Sequence, residues 1–192
     1  MIVTLSGITG VGKSFFKNEI IDKLNFKNLI IVTTRKKREN EIEGIDKHFV
    51  TQKEFFELKN KGEIVADFEF LGEYYAYIKQ DIERKVNQVT ELHYEAIENF
   101  KKNIKEELFA IYMIPNDIER AKKELKNRNL SKEVEEKRLK EIINQKNIFE
   151  SDEQIRNKFD YIFENNYDEE SEIKLLEVLK SILEKKGEEI YA

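Results

Sequence analysis

The chain contains several runs of consecutive apolar residues, a pattern typical of strands that are buried on both faces of a parallel sheet. Five segments of this kind predict strands: residues 2–5, 29–32, 89–92, 108–114 and 159–163. The fourth run ends at Pro115, the only proline of the chain, which lacks the N–H group that a central strand needs. The runs therefore predict a sheet that is covered by helices on both faces.

Residues 63–77 show a different pattern, in which apolar and polar side chains alternate. Alternation with a period of two is typical of a strand with two unlike faces. Ala66, Phe68 and Phe70 fall on one face, whereas Asp67 falls on the other unless a bulge redirects it. The pattern predicts one strand rich in aromatic residues, antiparallel to a neighbour.

Between the strands, apolar residues recur at helical spacing. The predicted helices are residues 15–24, 52–62, 78–86, 94–104, 118–125, 132–148 and 172–183. Thr51 and Glu54 have the form of a capping box before the second helix, and Ser131 is expected to cap the sixth. Strands that alternate with helices predict an α/β fold, a three-layer structure with a doubly wound parallel sheet.

A glycine-rich segment, Gly7-Ile8-Thr9-Gly10-Val11-Gly12-Lys13-Ser14, separates the first strand from the first helix and matches the phosphate-loop (P-loop) pattern. Glycines let backbone N–H groups converge on a phosphate, and the positive end of the helix adds to their field. Lys13 would reach the β- and γ-phosphates, and Ser14 would bind Mg²⁺. A plain glycine turn is disfavoured, because three of the chain's seven glycines fall within six residues. We expect ATP to be bound by Gly7, Thr9, Gly10, Val11, Gly12, Lys13 and Ser14.

Length and composition limit the classes of protein. A chain of 192 residues fits one compact domain or a core with small insertions, and 38% charged residues indicate a well-solvated surface. The formal net charge of −5 disfavours nucleic acid as the main partner. The absence of cysteine fits a reducing cytoplasm, and no apolar run is long enough to cross a membrane. We expect a cytoplasmic protein, monomeric or homodimeric, whose partners are small-molecule nucleotides.

Residues 33–41 form a charged segment after the second strand, for which a solvated loop is the simplest interpretation. Arg35 and Arg38 lie three residues apart in this segment, and guanidinium groups suit a planar, bidentate grip on phosphate. Together with the upstream phosphate loop, the two arginines therefore favour a second phosphate site.

Several groups of residues resemble the guanylate kinase family in their order and spacing. They are Thr34-Arg35 with Arg38, Glu41, Gly44 and Asp46; Gly72-Glu73-Tyr74-Tyr75; Val134 with Lys137-Arg138-Leu139; and Phe159-Asp160-Tyr161-Ile162 with Asn165-Asn166. The resemblance extends from residue 1 to about residue 183. It implies transfer of the γ-phosphoryl group of ATP to GMP, with Mg²⁺ as cofactor.

The resemblance also implies a division of the chain and roles for single residues. The division is a core of residues 1–32, 81–126 and 151–192, a small β-rich acceptor-binding insertion at 33–80, and a helical lid at 127–150. The implied acceptor-binding residues are Thr34, Arg35, Arg38, Asp67 and Tyr75. Lys13, Arg128 and Arg138 would act on the phosphoryl group in transit. Asn165 would bind ATP, and Glu91 would join Ser14 at the metal.

The part of the family pattern that binds the base is altered here. The glutamate that the family directs at guanine falls on Ala66, a pocket tyrosine falls on Lys47, and a small hydroxyl residue falls on Tyr77. The family's Asp-x-Asp pair falls on Glu91 and His93. We therefore expect GMP to be the best common acceptor but with weaker discrimination between bases. If Ala66 faces the pocket, Ala66→Glu should lower the KM for GMP.

Three alternatives remain open on the sequence alone. The first is a kinase of the same fold with another acceptor, either a different nucleoside monophosphate or ribose 1,5-bisphosphate. The second is a non-catalytic interaction module, which the intact phosphate loop disfavours. The third is a general P-loop GTPase or ATPase, for which recognisable switch motifs are absent.

Overall fold

The structure is a computed structural model that describes residues 1–39, 41–83, 85–128, 130–185 and 187. The described strands are β1 Ile2–Gly7, β2 Lys27–Asn28, β3 Ile31–Thr33, β4 Lys47–Phe49, β5 Ile64–Phe70, β6 Glu73–Ile78, β7 Gln88–Glu91, β8 Leu108–Pro115 and β9 Tyr161–Asn165. The described α-helices are α1 Lys13–Leu24, α2 Gln52–Asn60, α3 Ile97–Asn103, α4 Ile118–Lys126, α5 Lys132–Ser151, α6 Glu153–Arg156 and α7 Glu169–Lys185.

The central sheet is parallel throughout, with five strands in the order β2-β7-β1-β8-β9. Val3 and Leu5 of β1 point to one face, where they share a core cluster with Phe16 of α1 and Leu175 of α7. Side chains alternate along a strand, so Ile2 points to the other face. There it shares a cluster with residues of α3. Helices thus cover both faces, and the predicted α/β class with a parallel sheet is confirmed.

A second sheet, with strand order β4-β3-β6-β5, lies beside the first. Helix α2 packs on it through Phe55, which shares a cluster with Val32 and Ala76. The predicted capping box starts this helix: Glu54 donates its N–H to the Thr51 hydroxyl at 3.2 Å, and its carboxylate accepts the Thr51 N–H at 2.7 Å. The sheet falls almost wholly within the proposed insertion at 33–80, whose independence as a domain stays a prediction.

Two predicted strands differ from the structure. Residues 29–32 do not form one central strand, because the chain leaves the central sheet after β2 and enters the second sheet as β3. An apolar run indicates that a strand is buried on both faces. Strands of both sheets are buried in this way, so the run does not show which sheet it joins. Residues 63–77 form a hairpin, β5 and β6, rather than one strand. Its turn lies at Leu71 and Gly72, whose φ angles are 54° and 81°, a conformation that glycine adopts without strain.

The predicted helix at 78–86 is also wrong over the residues that the structure describes, since only a 3₁₀ turn, Lys79–Asp81, forms there; Arg84 lies outside them. Backbone groups that a helix would pair with one another bind the Gln88 side chain here. Gln88 accepts the Glu83 N–H at 2.9 Å and donates to the Asp81 carbonyl at 2.8 Å.

Smaller differences occur at the ends of other elements. A 3₁₀ turn, Tyr94–Ala96, precedes α3, and the last strand begins two residues later than predicted. Ser131 precedes α5 without a capping hydrogen bond from its side chain. Within the described part of the chain, no helix combines the length and apolar character needed to cross a membrane. Residues 186 and 188–192, at the end of the proposed core segment, lie outside the described residues.

Candidate active site

A cavity of about 350 Å³ opens at the carboxyl ends of the central strands. Parallel sheets of this kind bind ligands at that edge, because the loops that follow the strands converge there. Its wall includes the phosphate loop after β1, Glu91 at the end of β7, and residues of β4, β5 and β6 from the second sheet. Arg128 and Arg138 complete it from the segment around α5.

The phosphate loop is confined by neighbouring backbone, so its glycines are required. Gly7 has φ 133°, and a Cβ there would lie 2.1 Å from the Met113 carbonyl oxygen. Gly10 has φ 87°, and a Cβ would lie 2.3 Å from the Ala121 carbonyl oxygen. Both contacts are with backbone, which cannot give way as a flexible side chain can. The loop therefore accepts only glycine at these two positions.

Lys13 lies inside the curve of this loop. Its ammonium group donates to the Gly7 carbonyl at 2.8 Å and to the Ile8 carbonyl at 3.1 Å. The pKa of Lys13 is lowered to about 8, chiefly by burial; the Glu91 carboxylate opposes this shift, and the guanidinium groups of Arg128 and Arg138 contribute to it. A cation held this way among positive neighbours is placed to receive an anion.

Three side chains hold the loop through hydrogen bonds to its backbone. The Gln145 amide oxygen of α5 accepts the Thr9 N–H at 2.8 Å, and Asn165 donates to the Val11 carbonyl at 3.0 Å. The Tyr167 hydroxyl donates to the Gly10 carbonyl at 3.3 Å. Asn165, which the resemblance placed among the ATP-binding residues, is thus buried behind the loop and does not line the cavity. Val11 contributes no side chain to the cavity either, because it is fully buried.

The expected metal site consists of a hydroxyl and a carboxylate. The Ser14 hydroxyl donates to the Glu91 carboxylate at 2.8 Å. Burial would raise the pKa of Glu91, but the ammonium groups of Lys17, Lys13 and Lys47 and the Ser14 hydrogen bond outweigh it and lower that pKa. Glu91 is therefore a carboxylate, and two hard oxygen donors fit Mg²⁺, which completes its shell with water and substrate phosphate. No cluster of three or more His, Cys, Asp or Glu side chains that could hold a metal occurs within the described ranges.

Arginines from two parts of the chain converge on the other end of the cavity. Arg35 donates to the Glu41 carboxylate at 2.6 Å, and both Arg35 and Arg38 line the cavity. Burial, and then the neighbouring guanidinium of Arg35, lowers the pKa of Arg38. Burial, and then Arg38, likewise lowers the pKa of Arg138. The Arg138 Nε–H is buried and has no hydrogen-bond partner among the described residues. We call these side chains, Arg35, Arg38, Arg128 and Arg138, the arginine cluster. Its positive charge exceeds that of Glu41, the one carboxylate paired with it among the described residues.

An aromatic wall, formed by Phe68, Phe70, Tyr75, His93 and Tyr94, borders the arginines. Phe68 stacks on Tyr75 with ring centroids 5.1 Å apart and on His93 at 5.3 Å. Phe70 and Tyr94 lie 5.5 Å and 4.4 Å from His93. Burial lowers the pKa of His93 to about 4, with Lys13 acting in the same direction, so the imidazole in the wall is neutral near pH 7.

Two of the implied acceptor-binding residues lie outside the cavity. The Thr34 hydroxyl donates to Glu73 at 2.7 Å and accepts the Tyr74 N–H at 3.0 Å, so it links the ends of β3 and β6. Asp67 is turned to the opposite face of β5, where it pairs with Lys59 at 2.5 Å. Strand alternation explains Asp67, because the bulge in β5 comes before it and leaves Phe68 on the cavity face.

Ala66 does not face the cavity, contrary to the condition set for Ala66→Glu. It is 2% exposed and packs in the core cluster of Tyr77 and Phe100. Tyr77 lies opposite Ala66 in the hairpin and is fully buried. The Tyr77 hydroxyl bonds to the Thr90 hydroxyl at 3.0 Å and to the Glu91 carbonyl. Neither residue that replaces a family base contact on this hairpin can touch a ligand.

Two further side chains, Lys47 and Gln145, line the cavity although no sequence motif predicted a role for them. Lys47 is half-buried on β4, and burial lowers the pKa of its ammonium group. Among the described residues no hydrogen bond or ion pair holds it. The sequence indicated only that Lys47 stands where the family pattern has a pocket tyrosine. Gln145 carries no sequence signal, because it stands among lysines and glutamates in a long charged helix.

The arrangement provides two anion sites in one cavity. The phosphate loop with Lys13 forms one, and the arginine cluster with Tyr75 forms the other. Arg128 and Arg138 lie close enough to Lys13 to lower its pKa, so the two sites are electrostatically joined. A phosphoryl group could pass between anions bound at the two sites while cationic side chains surround it along the whole path.

Known proteins are similar to this chain in sequence and in fold. The sequence matches the family described as guanylate kinase over residues 1–185. It is 30% identical to a guanylate kinase of Mycoplasma mobile over 98% of this chain and 94% of that one, and 29% identical to one of Bacillus cereus over 86% and 80%. The crystal structure of guanylate kinase from Anaplasma phagocytophilum superposes with a TM-score of 0.70 at 23% identity, covering 94% of this chain and 85% of that one. The chain therefore belongs to the guanylate kinase family.

Proposed function

We propose that this protein transfers the γ-phosphoryl group of ATP to GMP, giving ADP and GDP. The observation that carries the proposal is the arginine cluster, which lines the same cavity as the phosphate loop and has Glu41 as its one ion-pair partner among the described residues. A plain ATPase needs only one anion site, whereas a phosphotransferase needs a second one for the acceptor. Membership of the guanylate kinase family supports GMP as that acceptor.

The donor site uses the phosphate loop and Lys13. Backbone N–H groups of the loop and the start of α1 bind the β-phosphate, and Lys13 exchanges its bonds to the Gly7 and Ile8 carbonyls for the β- and γ-phosphate oxygens. Ser14 and Glu91 would hold Mg²⁺ with the ATP phosphates. When bound, Mg²⁺ supplies charge neutralisation at the β- and γ-phosphate oxygens.

The acceptor site uses Arg35, Arg38 and Tyr75, with Lys47 as an additional cation. Glu41 orients Arg35 through the 2.6 Å ion pair, and it also accepts the Arg38 backbone N–H at 2.8 Å. One carboxylate therefore fixes the segment that carries both arginines. A phosphate bound there satisfies guanidinium groups that the protein leaves partly unpaired.

Catalysis consists mainly of positioning and charge stabilisation. Arg128 and Arg138, which line the cavity near Lys13, stabilise the phosphoryl group in transit. Phosphoryl transfer of this kind needs no covalent intermediate. Closure of the proposed lid at 127–150 over the insertion at 33–80 would exclude water, which otherwise competes as acceptor.

The test is ADP release, measured by a coupled assay with ATP and Mg²⁺ against GMP, dGMP, AMP, CMP, UMP and ribose 1,5-bisphosphate. We expect GMP-dependent release in the unmodified protein and a loss of several orders of magnitude in Lys13→Ala, which removes transition-state charge stabilisation. Release that requires another acceptor and ignores GMP would contradict the proposal. ADP release at the same rate without any acceptor would indicate an ATPase.

A further inference from the structure

A histidine outside the cavity, His48 on β4, lies between two carboxylates. Its Nδ1 atom is 3.1 Å from Glu43 Oε1, and its Nε2 atom is 3.4 Å from Asp81 Oδ2. The two contacts use different edges of one imidazole ring, so the three side chains form a row and do not converge on a common point. On the paired strand β3, the neighbour of His48 is Val32, which carries no charge. We call His48, Glu43 and Asp81 the histidine clasp.

The histidine clasp joins two parts of the fold. Glu43 and His48 belong to the segment that leads into and forms β4, in the second sheet. Asp81 ends the 3₁₀ turn, after which the chain returns to the central sheet as β7. The Gln88 side chain of β7 donates to the Asp81 carbonyl at 2.8 Å and so holds this turn to the central sheet. The imidazole therefore connects the second sheet to the central one.

The clasp also lies next to residues that line the cavity. Asp46 and Lys47 line it, whereas His48, the next residue, does not. Because successive side chains of a strand point to opposite faces, His48 anchors β4 from the face opposite Lys47. Glu43 adds a second anchor, since its other carboxylate oxygen accepts the Phe49 N–H at 2.8 Å. A shift of β4 would therefore displace the Lys47 ammonium group in the cavity.

The hydrogen-bonding groups of the clasp require an additional proton. An ionised carboxylate only accepts hydrogen bonds, and a neutral imidazole has one donor and one acceptor nitrogen. With a neutral His48, one ring nitrogen would face a carboxylate oxygen with lone pairs on both atoms. Asp81 Oδ2 is the oxygen left in this position, since it is buried and accepts no hydrogen bond among the described residues. A proton on the second ring nitrogen, or on Asp81, satisfies both contacts.

The charges around the clasp favour that proton. Burial raises the pKa of Asp81, and the His48 imidazole opposes this shift. The pKa of Glu43 is lowered, chiefly by the Phe49 N–H and against the effect of burial, with further contributions from His48 and Lys37. In the described part of the chain, the titratable groups paired with the ring are the two carboxylates. Both attract a positive imidazole.

We propose that the histidine clasp holds one proton between His48 and its two carboxylates, and that the protonated clasp positions β4, and with it Lys47, for the acceptor. His48 is thus a positioning residue that contacts no substrate. The folded clasp retains a proton that the unfolded chain releases as imidazole titrates. Its stabilisation is therefore present near pH 6 and is lost as the pH rises towards 8.5. The effect on the acceptor rests on the proposed function, whereas the proton in the clasp does not.

The first measurement is the melting temperature of the unmodified protein and of His48→Gln between pH 6 and pH 8.5. A glutamine side chain donates and accepts hydrogen bonds but does not titrate. We expect the unmodified protein to melt about 2–4 °C above the variant at the lower pH and at nearly the same temperature at the higher one. A difference that stays constant over this range would overturn the proposal.

A partner variant shows whether the change with pH comes from the clasp. In an Asp81→Asn background, the effect of His48→Gln should lose most of its dependence on pH, because the amide can donate to a neutral imidazole. Asp22→Asn, at an exposed position of α1, is the matched control and should preserve that dependence. An unchanged pH dependence in the Asp81→Asn background would contradict the assignment of the proton to the clasp.

The second measurement is the dissociation constant of GMP, obtained by calorimetric titration of the unmodified protein and of His48→Gln. The ratio of the two constants removes the titration of the GMP phosphate and of Lys47, which both proteins share. We expect His48→Gln to weaken GMP about threefold to tenfold near pH 6 and hardly at all near pH 8.5, with ATP unaffected. A ratio that does not change with pH, or an equal loss for ATP, would overturn the positioning role.

The failure of this proposal can be told from the failure of the proposed function. If GMP binds and is phosphorylated but His48→Gln has no pH-dependent effect, the reaction stands and the clasp is wrong. If GMP does not bind at either pH, the proposed acceptor is wrong and the positioning role falls with it. The melting temperatures then still decide whether the clasp holds a proton, because they require no ligand.

Discussion

At the scale of the residue, the cations of the cavity explain most of what the site can do. Lys13 has a pKa lowered to about 8, chiefly by burial. Phosphate oxygens favour the charged form, so bound ATP raises that pKa again. Binding therefore takes up a proton once the pH exceeds about 8, while below that value Lys13 is already charged.

We predict that the affinity for ATP is flat below pH 8 and then falls by about tenfold for each pH unit above it. Titration calorimetry between pH 6.5 and 9.5 measures this dependence. Lys13→Met, which has no titrating group, should bind weakly and show no break. A constant affinity up to pH 9.5 in the unmodified protein would contradict the lowered pKa.

Lys47 gives a second prediction at this scale. Burial lowers the pKa of Lys47, and no described residue forms an ion pair with it, so the ammonium costs stability in the free protein. Lys47→Met should raise the KM for the acceptor by about tenfold, since a hydrogen bond to a charged group contributes about 1.5–3 kcal/mol. The KM for ATP and the melting temperature should not worsen.

Arg38→Ala, in the same assay, should likewise raise the KM for the acceptor more than the KM for ATP. Equal effects on the two KM values would point to a structural role.

The burial of Ala66 reverses an expectation drawn from the sequence. Because Ala66 packs against Tyr77, Ala66→Glu would place a carboxylate in a filled core and would not reach the base. We predict a loss of about 3 kcal/mol or more in the free energy of unfolding, without a lower KM for GMP. Denaturant titration and GMP kinetics check it together. A stable variant with improved GMP kinetics would show that Ala66 faces the ligand.

At the scale of the element, α5 forms most of the proposed lid and also contacts the phosphate loop. It carries Arg138 at the cavity and, two turns further on, Gln145, whose amide oxygen accepts the Thr9 N–H. The same helix therefore places an arginine in the cavity and restrains the phosphate loop. A substitution of Gln145 should therefore weaken ATP binding at the donor site and leave binding at the acceptor site unchanged.

We predict that Gln145→Ala destabilises the protein by about 1–3 kcal/mol, because a buried N–H loses its acceptor. It should also raise the KM for ATP more than the KM for the acceptor. Lys140→Ala, at an exposed position of the same helix, is the control. Unchanged stability would mean that another acceptor replaces Gln145.

At the scale of the whole molecule, the charge of the cavity opposes the charge of the chain. The formal net charge is −5, yet seven cationic and three anionic side chains are found among the described residues that line the cavity. A positive cleft in a negative protein focuses its field on small anions and steers them inward.

We predict that the association rates of ATP and the acceptor fall several-fold between about 50 mM and 500 mM salt, as the Debye length shrinks. Stopped-flow binding at several ionic strengths measures this. Lys53→Ala, a distant surface change, should leave the slope unaltered. Rates independent of salt would contradict steering.

Interactions between near neighbours in the chain could be predicted from the sequence. The phosphate loop was recognised because its glycines, lysine and serine lie within eight residues, and the Thr51–Glu54 capping box because it spans four. Parallel strands and most helices followed from the period of the apolar residues. The resemblance to the guanylate kinase family, carried by similar short motifs, is confirmed by the comparisons.

Contacts between distant residues were decided only by the tertiary structure. The acceptor of the Thr9 N–H comes from Gln145, 136 residues away. The run at 29–32 is apolar whichever sheet receives it, so only packing could divide it between two. The spacing of Ala66 placed it on the face of Phe68, but whether a ligand or Tyr77 fills the space before it depends on the partner strand. A local pattern determines which way a side chain points, and the fold determines what it meets there.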